Sequence, residues 1–338
     1  MKISTAQILI TGVYRTGSEY ITHYLNQHTD IVASMYKINF LRFVKNRSAK
    51  TLSSYEISEI LTKINERTIS RYGTEIKSER IQRAAKKQNG TNVYDLYDLV
   101  MRDLYLKETN QTVWAEKNQL LWREIPEFVE SMNNGKAILI LRDPRSILAS
   151  FKRYTNAPTP LYLEAVFNAF DCMRHAIFYQ NSSISKKIYV TRYEDFVKNP
   201  SNELNKVLRK FSLEKMTVSK FQESIWFDPY GSEWFSNSSF AKNEPKKFDT
   251  KNAINRWRNN LSEHEIKMTE FICSAEMREF NYDRKFEDVN IKDLESYLSS
   301  FKDSMEKETI IGHFKHWLAK NEGIQKFPLD PLDPSTWD

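Results

Sequence analysis

The chain has 338 residues, 28% charged and 40% hydrophobic, with only 8 glycines and 10 prolines, which suits a soluble globule with a real core and excludes long low-complexity linkers. Its formal net charge of +6 fits an anionic ligand, a nucleic acid or an anionic membrane surface, but it carries no Lys/Arg tract of five or more and no zinc-finger or RNA-binding signature, so nucleic acid is not expected. No stretch approaches the ~20 apolar residues that span a bilayer, and the N-terminal apolar run is too short for a secretory signal, so a cytoplasmic protein without a transmembrane segment is expected.

The first element is an apolar run, Ile8 to Ile10, that reads as a buried strand. A turn with Gly12 and Gly17 follows, and Tyr20, Ile21, Tyr24 and Leu25 then recur at helical spacing, which predicts a helix over 18–28. Strand, glycine turn and helix start make an anion cradle, because the first N–H groups of a helix have no intrahelical partner and the macrodipole adds positive charge there. Arg15 adds a full charge inside the turn. The spacing Gly12-x4-Gly17 is that of a nucleotide-binding P-loop, yet Ser18 stands in place of the lysine and Glu19 in place of the magnesium-binding hydroxyl. The turn therefore suits a phosphate-like anion, not ATP or GTP hydrolysis. The bland alternative is a plain strand–turn–helix with a solvated arginine.

A short strand is expected at 31–34, then a helical, basic stretch over 35–90, either an acceptor-side insert or a helical pair packed on the sheet. Leu96, Leu99, Val100 and Leu104 share one face of a helix over 94–107. The segment Trp114-Ala115-Glu116-Lys117-Asn118 lies at a strand end before a helix over 121–132. Ligands of open α/β sheets bind at carboxyl ends of strands, which makes Lys117 a candidate site residue. Residues 137–141 form the clearest buried strand, of the kind found in parallel sheets covered on both faces. Arg142-Asp143-Pro144-Arg145-Ser146 and a helix over 147–154 follow. Arg142, at the strand end, and Ser150, in the helix, can converge on one anion; in the alternative, Asp143 caps the helix and Arg142 pairs with it.

A long amphipathic helix is expected over 161–179, a strand over 187–191, and a helix over 202–211 opened by Pro200. Residues 222–251 are irregular and aromatic-rich, including Trp226, Phe227, Tyr230, Trp234 and Phe235. Helix returns over 252–280, with Ser262 and Glu265 at capping-box positions. A last apolar stripe, Leu294, Tyr297, Leu298, Phe301 and Met305, argues for a C-terminal helix, with a short one over 310–318. Cys172 and Cys273 show no metal-ligand or redox spacing, and the histidines include no H-x-x-x-H pair, so buried thiols and no metal site are expected. The strand–helix alternation gives an α/β class: a P-loop-like parallel sheet flanked by helices, with a helical insert at 35–90 in a domain over 1–285, and a C-terminal helical extension over 286–338.

Four separated stretches together resemble the sulfotransferases that use 3′-phosphoadenosine 5′-phosphosulfate (PAPS). Gly12-Val13-Tyr14-Arg15-Thr16-Gly17-Ser18 is similar to their 5′-phosphosulfate loop. Leu141-Arg142-Asp143-Pro144-Arg145-Ser146-Ile147-Leu148-Ala149-Ser150 is similar to their 3′-phosphate motif. Glu116-Lys117-Asn118 resembles the E-K-T-P segment of bacterial and tyrosyl-protein members, and Arg192-Tyr193-Glu194-Asp195-Phe196 the R-Y-E-D-L segment. Two later segments, Asn237-Ser238-Ser239-Phe240 and Arg256-Trp257-Arg258, also look like family segments.

The resemblance implies PAPS as co-substrate, its product 3′,5′-bisphosphoadenosine (PAP), no metal, and a hydroxyl acceptor on a glycan or small molecule, that is, carbohydrate sulfation. It implies donor binding by Tyr14, Arg15, Thr16, Gly17, Ser18, Glu19, Arg142, Ser150, Tyr193, Ser238 and Ser239, and catalysis by Arg15, Lys117 and Glu116. Carbohydrate and tyrosyl-protein members usually have a glutamate base soon after the first helix and strand; here the stretch is Ser34-Met35-Tyr36-Lys37-Ile38-Asn39, without a carboxylate. Glu116, Glu19 or a histidine can take that place. The other readings are a donor-binding protein without catalysis and, from a different class, a P-loop kinase.

Overall fold

A computed structural model describes residues 6–34, 38–44, 51–88, 90–106, 110–154, 159–216 and 250–326. Five strands, β1 (Gln7–Gly12), β2 (Ile31–Ala33), β3 (Val113–Lys117), β4 (Gly135–Leu141) and β5 (Ile188–Arg192), form one sheet in the order β2-β3-β1-β4-β5. Every pairing is parallel, with Gln7 of β1 in register with Trp114 of β3 and Gly135 of β4. The central strand is thus the one that feeds the glycine turn. The chain runs from β1 out to β2 and β3, then crosses β1 to reach β4 and β5. The crevice of such a sheet lies at the carboxyl ends beside the strand where the order reverses.

Both faces are covered, which is why the strands read as unbroken apolar runs. Ile8, Ile10, Ala115, Ile138 and Ile140 pack on one face with Tyr20, Ile21, Leu25, Phe196 and Leu204. Leu9, Trp114, Ala137, Leu139 and Leu141 pack on the other with Leu96, Tyr97, Phe128, Phe167 and Phe170. Each fully buried aliphatic or aromatic side chain contributes roughly 1.5–3 kcal/mol. The period-2 alternation within β1 and β4 sets which residue faces which layer.

The first helix is Ser18–Leu25, shorter than expected. Polar side chains hold the turn after it: Asn26 Oδ1 accepts from the Ala33 N–H (3.0 Å), and His28 Nε2 bonds the Glu214 carbonyl (2.8 Å). The stretch between β2 and β3 contains the helices Ser54–Tyr72, started by a Ser53/Glu56 capping box, and Ser78–Lys86. The helix after β3, Ile125–Ser131, starts later than expected, and Leu120 ahead of it takes a left-handed φ of 60°. The helix after β4, Pro144–Tyr154, starts earlier than expected: Asp143 Oδ1 accepts from the Arg145 N–H (2.9 Å). Ser262 and Glu265 form the anticipated capping box.

Toward the C-terminal end the described residues form two helices, Ile291–Ser299 and Met305–Lys320, the second longer than anticipated. Met305 does not belong to the apolar stripe; it begins the second helix, 85% exposed, just after the Ser304 N-cap. Leu294, Leu298, Ile310 and Phe314 enter the same core as Phe167 and Phe170. The chain then lies against the helix Glu164–Gln180, where the Lys326 N–H donates to Asn168 Oδ1 (2.9 Å). No helix among the described residues is long and apolar enough to cross a membrane.

A buried ionic clamp ties the helix Pro144–Tyr154 to these later elements. Arg145, with 4% of its side chain exposed, binds both Asp143 oxygens (3.0 and 2.7 Å) and Glu270, and lies 3.9 Å over the Trp257 ring. Burial works against its charge, but Asp143 and Glu270 outweigh it and push its pKa up. Glu270 also accepts the N–H groups of Lys285 and Phe286. Arg145→Ala leaves two buried carboxylates uncompensated and should cost about 3–5 kcal/mol, read from the urea unfolding midpoint; a loss under ~1 kcal/mol would show that the clamp is idle.

Candidate functional site

The site is built where β1 ends. A Cβ on Gly12 would run into the Ile140 carbonyl oxygen, so only glycine lets the turn leave between β1 and β4. Thr16 Oγ1 donates to the Val13 carbonyl (2.8 Å) and closes the turn on itself. Arg15 (φ 68°) and Gly17 (φ 82°) are both left-handed. Such a conformation costs an arginine of order 1 kcal/mol, and nothing for a glycine. Gly17 is also the N-cap of the helix Ser18–Leu25 and supplies no side-chain bond to it. The first-turn N–H groups therefore face the mouth as donors without intrahelical partners.

Three neighbouring elements bring side chains to this turn. Arg142, leaving β4, donates from one amine to the Arg15 carbonyl (2.7 Å) and from the other to the Ala253 carbonyl. Its Nε is buried without a partner among the described residues. Ser150 Oγ accepts from Arg15 Nε (3.1 Å). Tyr193, the first residue of the helix Tyr193–Lys198, lies under the Arg142 guanidinium at 4.5 Å and against Gly17, where any Cβ would overlap its ring. Burial pushes the Tyr193 phenol up, and the Arg142 charge only partly opposes this. Arg142 and Ser150 thus meet at Arg15. Arg142 does not pair with Asp143, whose partner is Arg145.

Neighbours on β3 point to opposite faces, and this separates Glu116 from Lys117. Lys117, buried, places Nζ 2.7 Å from Glu19 Oε1, at the start of the helix Ser18–Leu25. Glu116 lies on the other face, where it accepts the Asn39 N–H (3.1 Å) and the Tyr97 hydroxyl. Tyr14 also turns away from the mouth: its hydroxyl accepts from Asn168 Nδ2 (3.3 Å) and its ring lies 4.2 Å from Phe151. Burial, then the Glu164 charge, raises its pKa. Ser238, Ser239 and the aromatic segment from Trp226 to Phe235 lie outside the described residues.

Five of the six histidines find partners elsewhere: His28 at Glu214, His175 at Asp171, His313 at Glu164, His316 at Glu322, and His264 stacked on Tyr297, while His23 lies in the last turn of the helix Ser18–Leu25. Two residues emerge that sequence reasoning did not single out. Asn118, fully buried just past Lys117, leaves both side-chain polar atoms without partners among the described residues; its place at a strand end was the available signal. Asn168 joins the turn, through Tyr14, to the C-terminal segment at Lys326, a link with no local signature.

Gly17→Ala meets both the left-handed φ and the Tyr193 ring. Gly73 (φ 62°) has nothing within 4 Å of an added Cβ and serves as the control. Gly73→Ala should cost the backbone term alone, roughly 1 kcal/mol, and Gly17→Ala clearly more; equal urea midpoints would mean that Tyr193 does not press on the turn.

A profile described as the Sulfotransferase family matches residues 7–217. The sulfotransferase domain from the curacin biosynthetic pathway superposes with a TM-score of 0.53 at 12% identity, covering 83% of this chain and 99% of that one. The sulfotransferase domain of the Synechococcus PCC 7002 olefin synthase gives 0.52 at 16% identity, covering 84% and 97%. These two likenesses are of fold. A sequence search of curated proteins gives no match.

Proposed function

The chain belongs to the sulfotransferase family, and from that premise we propose that it moves a sulfuryl group from PAPS to a hydroxyl of a glycan, glycan-like or small-molecule acceptor. The observation that carries the donor assignment is the meeting of Arg142 and Ser150 with Arg15 at one turn. PAPS has two anionic ends on one adenosine, and this arrangement offers two sets of donors a short way apart. The N–H groups of Thr16 to Ser18, with Arg15, take the 5′-phosphosulfate; Arg142 and Ser150 take the 3′-phosphate, and Tyr193 packs by the adenosine. The buried Nε of Arg142, without a partner among the described residues, supports the fit, since burying an unsatisfied charged donor is costly unless a ligand meets it.

Sulfuryl transfer asks the protein for position and for charge. Negative charge builds on the leaving phosphate, and positioned cations are the main way to stabilise it. Arg15 and Lys117 fill that role, with no metal in the scheme. Glu116, engaged by Asn39 and Tyr97, serves to hold the start of the insert against β3. The insert at 35–90 provides the acceptor side, and the helices beyond 285 form an extension that braces the helix Glu164–Gln180. The two buried thiols fit a reducing, cytoplasmic setting.

Titration calorimetry with PAP and with AMP, which lacks the 3′-phosphate, tests the assignment. PAP should bind the parent well above AMP. Arg142→Ala should weaken PAP by about 10–100-fold, the worth of charged hydrogen bonds, and AMP much less. Lys117→Ala should weaken PAP less than Arg142→Ala does and should mainly lower turnover, by 10²–10³-fold or so. Equal affinities for PAP and AMP, or both variants behaving as the parent, would remove the site assignment.

A further inference from the structure

The carboxylate of Glu19 sits where an anion is to bind. It belongs to the first turn of the helix Ser18–Leu25, beside the N–H donors of the turn, and its Oε1 lies 2.7 Å from Lys117 Nζ. The lysine side chain is 3% exposed and that of Glu19 33%, so solvent reaches the pair from the Glu19 side. Other carboxylates at the strand ends are committed to the framework. Glu116 holds Asn39 and Tyr97, Asp143 holds Arg145, Glu194 accepts the Asp143 N–H and the Tyr282 hydroxyl, and Asp195 is held by Arg192. The stretch 34–39 supplies no carboxylate.

We propose that Glu19 is the general base of the transfer and that Lys117 links its protonation to the charge of the leaving group; this rests on the donor reading above. The acceptor oxygen forms a bond to sulfur, the bond from sulfur to the 5′-phosphate oxygen breaks with its electron pair left on that oxygen, and the acceptor proton passes to the Glu19 carboxylate. Before the step Lys117 neutralises Glu19. After it Glu19 is neutral and the 5′-phosphate carries one more negative charge, so the same ammonium stabilises what has just been made. The two charge changes occur on either side of one buried cation, without a net change in the charge around it. A cost accompanies this arrangement: the ionised carboxylate opposes entry of the anionic donor.

The test pairs binding with cleavage, using Glu19→Gln and Glu19→Asp. PAP affinity is measured by calorimetry, and PAPS cleavage in single turnover, with water alone and with 2-naphthol as acceptors. Glutamine keeps a hydrogen bond to Lys117 but takes up no proton. Glu19→Gln should bind PAP at least as tightly as the parent, while cleavage falls about 10²–10⁴-fold, the usual worth of a positioned base. Glu19→Asp should recover part of the rate. Cleavage within about threefold of the parent, well below that range, or PAP affinity lost along with the rate, would overturn the assignment of the base. So would a parent that binds PAP and cleaves PAPS with neither acceptor, a result that leaves the donor site standing. A parent that fails to bind PAP would instead sink the donor reading itself.

Discussion

Positive charge held at the carboxyl ends of parallel strands is the constraint on which the structure depends. Arg15, Lys117 and Arg142 arrive from the ends of β1, β3 and β4, and two of the three are buried. Bringing like charges together away from water is unfavourable unless each one is hydrogen-bonded. Arg142 is held by backbone carbonyls and by the face of Tyr193, and Arg15 donates to a serine hydroxyl. The two carbonyls and the Tyr193 ring keep the Arg142 charge oriented without cancelling it. Lys117 is different: it faces a carboxylate.

The framework around the mouth serves that arrangement. Gly12 and Gly17 permit backbone and ring approaches that no side chain allows. The Arg145 clamp joins the helix that carries Ser150 to Trp257 and Glu270, and so to the elements that follow the sheet. Ala253, whose carbonyl receives Arg142, lies in the helix Thr250–Asn255. The position of the Arg142 guanidinium at the β4 end therefore depends on a residue more than a hundred positions further along the chain.

Much of this was legible in the sequence, and the boundary follows from range. The strands at 7–12 and 135–141 announce themselves because a parallel sheet buried on both faces needs unbroken apolar runs. The glycine turn and the strand-end positions of Lys117 and Arg142 follow from local spacing. The split between Glu116 and Lys117 was available from strand alternation, but the partners Asn39 and Tyr97 were not, since nothing local specifies them. The resemblance puts Tyr14 among the donor-binding residues, and nothing local in the sequence specifies that its hydroxyl meets Asn168, far along the chain. Met305 falls at helical spacing from Phe301, but the earlier helix ends at Ser299 and the Ser304 N-cap starts a new one.

The most direct measurement is a crystal structure of the protein with PAP. The 3′-phosphate should lie on Arg142 and Ser150, the 5′-phosphate on the N–H groups of Thr16 to Ser18, and the adenosine beside Tyr193. A PAP molecule whose 3′-phosphate lies away from Arg142, or whose 5′-phosphate does not enter the turn after β1, would contradict the assignment of the turn and the two arginines to one donor.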